Sequence, residues 1–83
     1  MLVTIDAGSK ADAELIAAAL PGTAEARSWR GYGVVRMQFR KEGEAREVLP
    51  VVAECVELHR LSWARVRIGD DERMFRGRSR RVS

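Results

Sequence analysis

Hydrophobic and polar residues alternate along several segments of the chain, which is the pattern of strands with one buried face. Residues 32–39, YGVVRMQF, carry the strongest such pattern, and residues 62–68, SWARVRI, carry the next clearest one. A short apolar run opens the chain, a weaker strand precedes a turn at Arg30-Gly31, and a last short strand follows the turn GDD. We therefore predict strands over 2–5, 23–29, 32–39, 62–68 and 72–75.

The first helix is predicted over residues 8–22, GSKADAELIAAALPG. Ser9 is a good N-cap residue, and Asp12 three positions later is favourable among the free amides of the first turn. Pro21-Gly22 should end this helix. Its apolar stripe is predicted to consist of Leu15, Ile16, Ala19 and Leu20.

The second helix is predicted within residues 42–61, EGEAREVLPVVAECVELHRL. Pro50 leaves two alternatives, since it either kinks this helix or lies in the first turn of a shorter one that starts near Leu49. Six residues of this segment fall near one face of the helix: Ala45, Val48, Val52, Cys55, Val56 and His59.

The order of these elements is β-α-β-β-α-β with a short extra C-terminal strand. Two helices and one antiparallel sheet predict an α+β two-layer sandwich, and the leading topology is the ferredoxin-like one. A chain of 83 residues has room for one domain. We assign this domain to residues 1–76 and a basic, flexible tail to residues 77–83.

Two helices cover only one side of such a sheet, so the alternation also predicts what the other side, the open face, carries. Val35, Met37 and Phe39 should meet the helices, which turns the residues between them outward. The same reasoning, strand by strand, predicts an open face with three large rings and four guanidinium groups: Arg27, Trp29, Tyr32, Arg36, Trp63, Arg65 and Arg67. Exposed rings in such numbers are typical of a contact surface.

The charge is unevenly distributed along the chain. The net charge is +3, yet residues 1–26 hold four acids against one lysine. The excess of positive charge in the remainder favours an anionic partner. It is densest near the C-terminus, where the basic tail contributes Arg76, Arg78, Arg80 and Arg81.

Residues 30–37, RGYGVVRM, resemble the octapeptide of RNA-recognition-motif proteins, in which a basic residue, glycines and aromatic residues alternate on the third strand. Arg30, Gly31, Tyr32, Gly33 and Val35 match that pattern. Val34 and Met37 stand where the family prefers aromatic residues, and the first strand lacks an aromatic residue. The resemblance implies that Tyr32 stacks on a base of single-stranded nucleic acid.

Candidate catalytic or metal-binding groups are few. His59 is the only histidine and Cys55 the only cysteine, four residues apart on the second helix. A structural zinc site takes about four nitrogen or sulfur ligands, so we predict a buried thiol and a histidine at the helix end. We expect no enzymatic activity, no cofactor and no metal.

The sequence thus predicts a small, cytoplasmic, non-enzymatic interaction module that does not enter membranes. Its open face is expected to bind a partner protein or a second copy of the chain, because aromatic residues and arginine are enriched in protein interfaces. The alternative is binding of single-stranded nucleic acid by the same face and the basic tail.

Overall fold

The computed structural model describes residues 1–22 and 24–77. The described part of the chain contains five strands and three helices. The strands are β1 (Leu2–Ala7), β2 (Ala26–Trp29), β3 (Tyr32–Gln38), β4 (Trp63–Ile68) and β5 (Asp71–Arg76). The helices are α1 (Lys10–Ala19), α2 (Glu42–Arg46) and α3 (Val48–Leu58).

The five strands form one sheet in the order β2-β3-β1-β4-β5, and all neighbouring strands are antiparallel. β1 therefore lies in the middle, between β3 and β4. Helix α1 connects β1 to β2 across β3, and α2 with α3 connects β3 to β4 across β1. This arrangement confirms the predicted α+β class with a single antiparallel sheet.

The hydrophobic core lies between one side of the sheet and the helices. Val3 and Ile5 of β1 are fully buried there, as are Ile16 of α1 and Val52 of α3. Met37 and Phe39 pack against this cluster, as the alternation of β3 predicts. The arrangement is compatible with a two-layer sandwich.

Helix α1 begins as predicted, because the Ser9 hydroxyl accepts a hydrogen bond from the Asp12 N–H at 3.1 Å. The predicted apolar stripe is wrong in two positions, since Leu15 and Ala19 are exposed. The buried stripe consists of Ala13, Ile16, Ala17 and Leu20. Ala13 leaves room for the close approach of α1 to the sheet at Gly33.

The second helical segment is divided, since α2 ends at Arg46 and α3 begins at Val48. Pro50 lies in the first turn of α3, where a missing N–H leaves no helical hydrogen bond unmade. The second alternative for Pro50 is thus correct.

The C-terminus of α3 has the hydrogen bonds of a Schellman motif. The Arg60 N–H donates to the Glu57 carbonyl at 3.4 Å, and the Leu61 N–H donates to the Val56 carbonyl at 2.9 Å. Arg60 has a φ of 54°, the left-handed conformation that this motif requires. His59 caps the helix and is exposed, which confirms the predicted histidine at the helix end.

Two-residue turns join the strand pairs at both edges of the sheet. Arg30 and Gly31 both have positive φ, the pattern of a type I′ turn. Strand β5 runs to Arg76, and the Gly77 N–H donates to the Ser62 carbonyl at 3.0 Å. The rest of the predicted tail, residues 78–83, lies outside the described residues. Among the helices described here, none has the length and apolar character needed to cross a membrane.

Candidate interaction face

Strand register decides which side chains share the open face. Directly paired residues of neighbouring strands point to the same side of a sheet. Thr4 of β1 pairs with Arg36 of β3 and with Arg67 of β4, while its neighbours Val3 and Ile5 are buried under the helices. By the same register, all seven predicted residues lie on the open face: Arg27, Trp29, Tyr32, Arg36, Trp63, Arg65 and Arg67.

The three rings lie at one end of the open face. Trp29 pairs with Tyr32 and is 55% exposed, and the Arg30 guanidinium carbon lies 5.4 Å from the centroid of the Trp29 ring. Tyr32 and Trp63 pack against each other, with ring centroids 6.3 Å apart at an angle of 52°. These two rings are half-buried, so of the three rings predicted to be exposed only Trp29 is exposed.

Asp6 lies at the centre of the open face and is only 1% exposed. Its Oδ2 accepts hydrogen bonds from the Arg65 Nε at 2.9 Å, from a terminal nitrogen of Arg65 at 2.5 Å and from Arg67 at 3.2 Å. Sequence reasoning missed this residue. The alternation of β1 contains the signal, since Leu2, Thr4 and Asp6 all point away from the helices.

The hydrogen bonds with Asp6 raise the pKa of the Arg65 guanidinium above its ordinary value. One carboxylate therefore holds Arg65 by two hydrogen bonds and Arg67 by one longer one. Its second oxygen, Oδ1, is buried and has no hydrogen-bond partner among the described residues. Such an orphaned buried acceptor is costly, and a ligand that donates to it would recover part of that cost.

The positive charge on the open face exceeds what Asp6 balances. Arg36 is exposed and forms no ion pair with any described residue. Arg27 reaches Glu25 only at 4.0 Å, and both side chains are about four-fifths exposed, so water largely screens that pair. An anionic group placed here would meet guanidinium groups with free donors.

A depression of about 710 Å³ occupies the half of the open face formed by β2, β3 and β1. Trp29 and Tyr32 line one end, Arg36 and Arg67 line the other, and Asp6 lies between them. Its size is within the range of binding pockets for small ligands or short segments.

Of the residues that resemble the RNA-recognition octapeptide, Tyr32 and Gly33 have different roles in the structure. Tyr32 does lie on the open face, as the resemblance implies. Gly33, however, faces the helices, where a Cβ would come within 2.5 Å of the Ala13 Cβ and collide with the Ser9 carbonyl oxygen. Close packing of α1 therefore accounts for this glycine without any nucleic acid.

The remaining candidates are not brought together. Cys55 is buried in the core, and burial raises the pKa of its thiol, whereas His59 is exposed at the helix end. Arg76 belongs to β5, where it pairs with Trp63 at the edge of the open face. Arg78, Arg80 and Arg81 lie outside the described residues.

Comparisons with protein-family models, with curated proteins and with solved structures find no match to this chain. The functional conclusion therefore depends on the geometry of the open face.

Proposed function

We propose that this protein is a non-enzymatic binding module whose open face docks an acidic segment of a partner protein. The observation that carries the proposal is the uncovered side of the sheet, where exposed Trp29 lies beside arginines whose charge exceeds that of Asp6. Aromatic residues and arginine form the energetic centres of protein interfaces.

We further assign the fold to the ferredoxin-like class. Strands β1 to β4 lie in the order β4-β1-β3-β2, and each helical connection crosses one intervening strand. This order supports the split β-α-β arrangement as our assignment, with β5 as an additional edge strand beside β4.

Charge argues for a partner other than a second copy. Two open faces brought together would oppose guanidinium groups of the same sign, which is unfavourable once the faces are desolvated. An acidic segment has complementary charge. Nucleic acid fits less well, because the central strand presents the carboxylate of Asp6 and no ring on which a base could stack.

The proposal can be tested by panning a phage-displayed library of random 12-residue peptides on the whole protein. Enriched peptides should be acidic, and their synthetic versions should bind about tenfold more weakly to Trp29→Ala and Arg36→Ala. Arg73→Ala is the matched control, because Arg73 pairs with Val66 and so lies on the other side of the sheet. It should bind like the wild type.

Three outcomes would contradict the proposal. The first is no enrichment of acidic peptides over the library. The second is a stable dimer in light scattering that the Trp29→Ala or Arg36→Ala variant converts to monomer, since the face would then serve self-association. The third is an oligouridine of nine nucleotides that binds more tightly than the acidic peptides, with an affinity that falls steeply as salt is added.

A further inference from the structure

The depression on the open face presents three kinds of group in a fixed order. By the strand register, the rings of Trp29 and Tyr32 come first, Asp6 lies in the middle at the level of Arg27, and Arg36 and Arg67 come last. The register sets the spacing, because Tyr32, Val34 and Arg36 are alternate residues of β3 and Val34 pairs with Asp6. At about 3.3 Å per residue, alternate residues of β3 are about 7 Å apart, and the distance along the strand from Tyr32 to Arg36 is about 13 Å.

Asp6 gives the middle of the depression its chemical preference. Its Oδ1 is a buried acceptor without a partner among the described residues, and the side chain is 1% exposed. Arg65 and Arg67 already supply two positive charges beside the carboxylate. A further cation would be repelled there, so a neutral donor such as a hydroxyl or a carboxamide suits this position best.

The far end prefers an anion. Arg36 forms no ion pair with the described residues, and Arg67 contributes a single hydrogen bond of 3.2 Å to Asp6 while its side chain is 46% exposed. Arg67 can therefore turn toward an arriving carboxylate, while Arg65 keeps its two hydrogen bonds with Asp6. Hydrogen bonds between guanidinium and carboxylate are among the stronger ones in proteins.

We propose that the depression recognises an extended segment with an aromatic residue, a neutral hydrogen-bond donor and an acidic residue at positions i, i+2 and i+4. Alternate side chains of an extended chain point to one side and repeat every ~7 Å, which matches the spacing of the three groups. This inference rests on the proposed function and specifies the partner segment that the open face accepts.

Synthetic nine-residue peptides test the spacing directly. In the matched peptide, Tyr, Ser and Glu stand at the third, fifth and seventh positions, separated by single glutamines. The control peptide has the same composition, but its Tyr and Glu are three residues apart and so point to opposite sides when extended. Titration calorimetry on the whole protein should show the matched peptide binding at least about tenfold more tightly.

Single changes in the matched peptide should identify each contact. Replacing Ser by Ala should weaken binding to the wild type, and replacing Glu by Gln should weaken it about tenfold. Arg36→Ala should lose the preference for Glu over Gln, whereas Arg73→Ala should keep it. Both protein variants change exposed arginines, so both should fold.

The outcomes separate this inference from the proposed function. Equal affinity for the matched and control peptides, with both sensitive to Arg36→Ala, overturns the spacing and leaves the docking of acidic segments standing. Affinity for the matched peptide that Arg36→Ala and Trp29→Ala do not change overturns both. If replacing Ser by Ala leaves the affinity unchanged, Asp6 does not contact the segment. The proposed motif of an aromatic residue, a neutral donor and an acidic residue is then wrong.

Discussion

Gly33 sets the distance between helix α1 and the sheet. Its α-hydrogens face Ser9, Lys10 and Ala13, and a Cβ at this position would meet all three. We expect Gly33→Ala to lower the free energy of unfolding by about 1–3 kcal/mol, because α1 must move away from the core. Urea denaturation followed by circular dichroism measures the change.

Gly43→Ala is the control for that substitution. Gly43 lies in α2, and a Cβ there would meet no atom within 4 Å. Alanine should stabilise the helix by about 0.5–1 kcal/mol. Equal effects of the two substitutions would show that α1 does not depend on close contact with Gly33.

The reactivity of the Cys55 thiol is a second property that can be measured at a single residue. Burial raises the pKa of its thiol, so the native protein holds less of the reactive thiolate than a free cysteine would. Ellman's reagent at pH 8 should react with the native protein on the order of 100-fold more slowly than with the protein in denaturant. A native rate equal to the denatured rate would place Cys55 at the surface.

Asp6 stabilises the fold as well as the open face. Asp6→Asn removes the charge that Arg65 and Arg67 share. Because both arginines still reach water, we expect a loss of about 1–3 kcal/mol, smaller than for a fully buried pair. Glu72→Gln, an exposed acid on the same face, should change stability by less than about 0.5 kcal/mol. Thermal denaturation that ranks the two variants the other way would contradict this role.

At the scale of elements, the end of α3 contains a residue ill suited to its conformation. Arg60 has the left-handed backbone that a Schellman motif requires, a conformation for which glycine has no steric cost. Arg60→Gly should therefore stabilise the protein by about 1 kcal/mol. Arg40→Gly, another exposed arginine but without positive φ, should not stabilise it. Chemical denaturation of both variants decides the matter.

The strands were easier to predict than the helix faces. Alternation in β3 and β4 identifies the buried side, because the period of two holds whatever lies above the sheet. In α1 the sequence offers two apolar stripes of similar quality. The structure buries the one with Ala13 and Ala17, since Ala13 leaves room for the close approach of the helix to the sheet at Gly33.

At the scale of the whole molecule, an ion pair ties α2 to the start of β5. Arg46 donates to Asp71 at 2.9 Å and to Glu42 at 2.9 Å. The hydrogen bond from Arg46 holds the pKa of Asp71 below its ordinary value, and the pKa of Arg46 is raised in turn. The contact joins segments that are 25 residues apart in the chain.

This ion pair predicts a pH dependence. The pKa of Asp71 is lower in the folded than in the unfolded state, so the unfolded state binds more protons at pH values between the two. The protein therefore becomes less stable as the pH is lowered through this range. The contribution is complete above the unfolded pKa of about 4 and is lost as the pH falls through the folded pKa. Asp71→Asn should thus be less stable than the wild type at pH 7, and the difference should close at acid pH.

Urea denaturation at several pH values from 7 to 2.5 measures that difference. Asp70→Asn is the control, since Asp70 forms no ion pair with the described residues. Its stability should parallel that of the wild type throughout. A difference between Asp71→Asn and the wild type that stays constant with pH would exclude the ion pair as its cause.

The sequence predicted the aromatic and arginine residues of the open face, but not Asp6 at its centre. The seven aromatic and arginine residues follow from alternation within each strand, a local property. The burial of Asp6 depends on β4 lying beside β1, and Arg65 is 59 residues away in the chain. The alternation of β1 places Asp6 on the open face, but no local pattern reveals that Arg65 and Arg67 lie beside it, because that depends on the strand order.

The middle position of β1 in the sheet also affects the order in which the strands can pair during translation. While the nascent chain leaves the ribosome, β1 emerges first, and β3 can pair with one of its edges early. The other edge waits for β4, which follows β3 and the helices α2 and α3 in the chain. Until then backbone donors and acceptors along that edge have no partner in the chain. Co-translational assembly should therefore pause at a three-stranded intermediate until β4 has emerged and pairs with the free edge of β1.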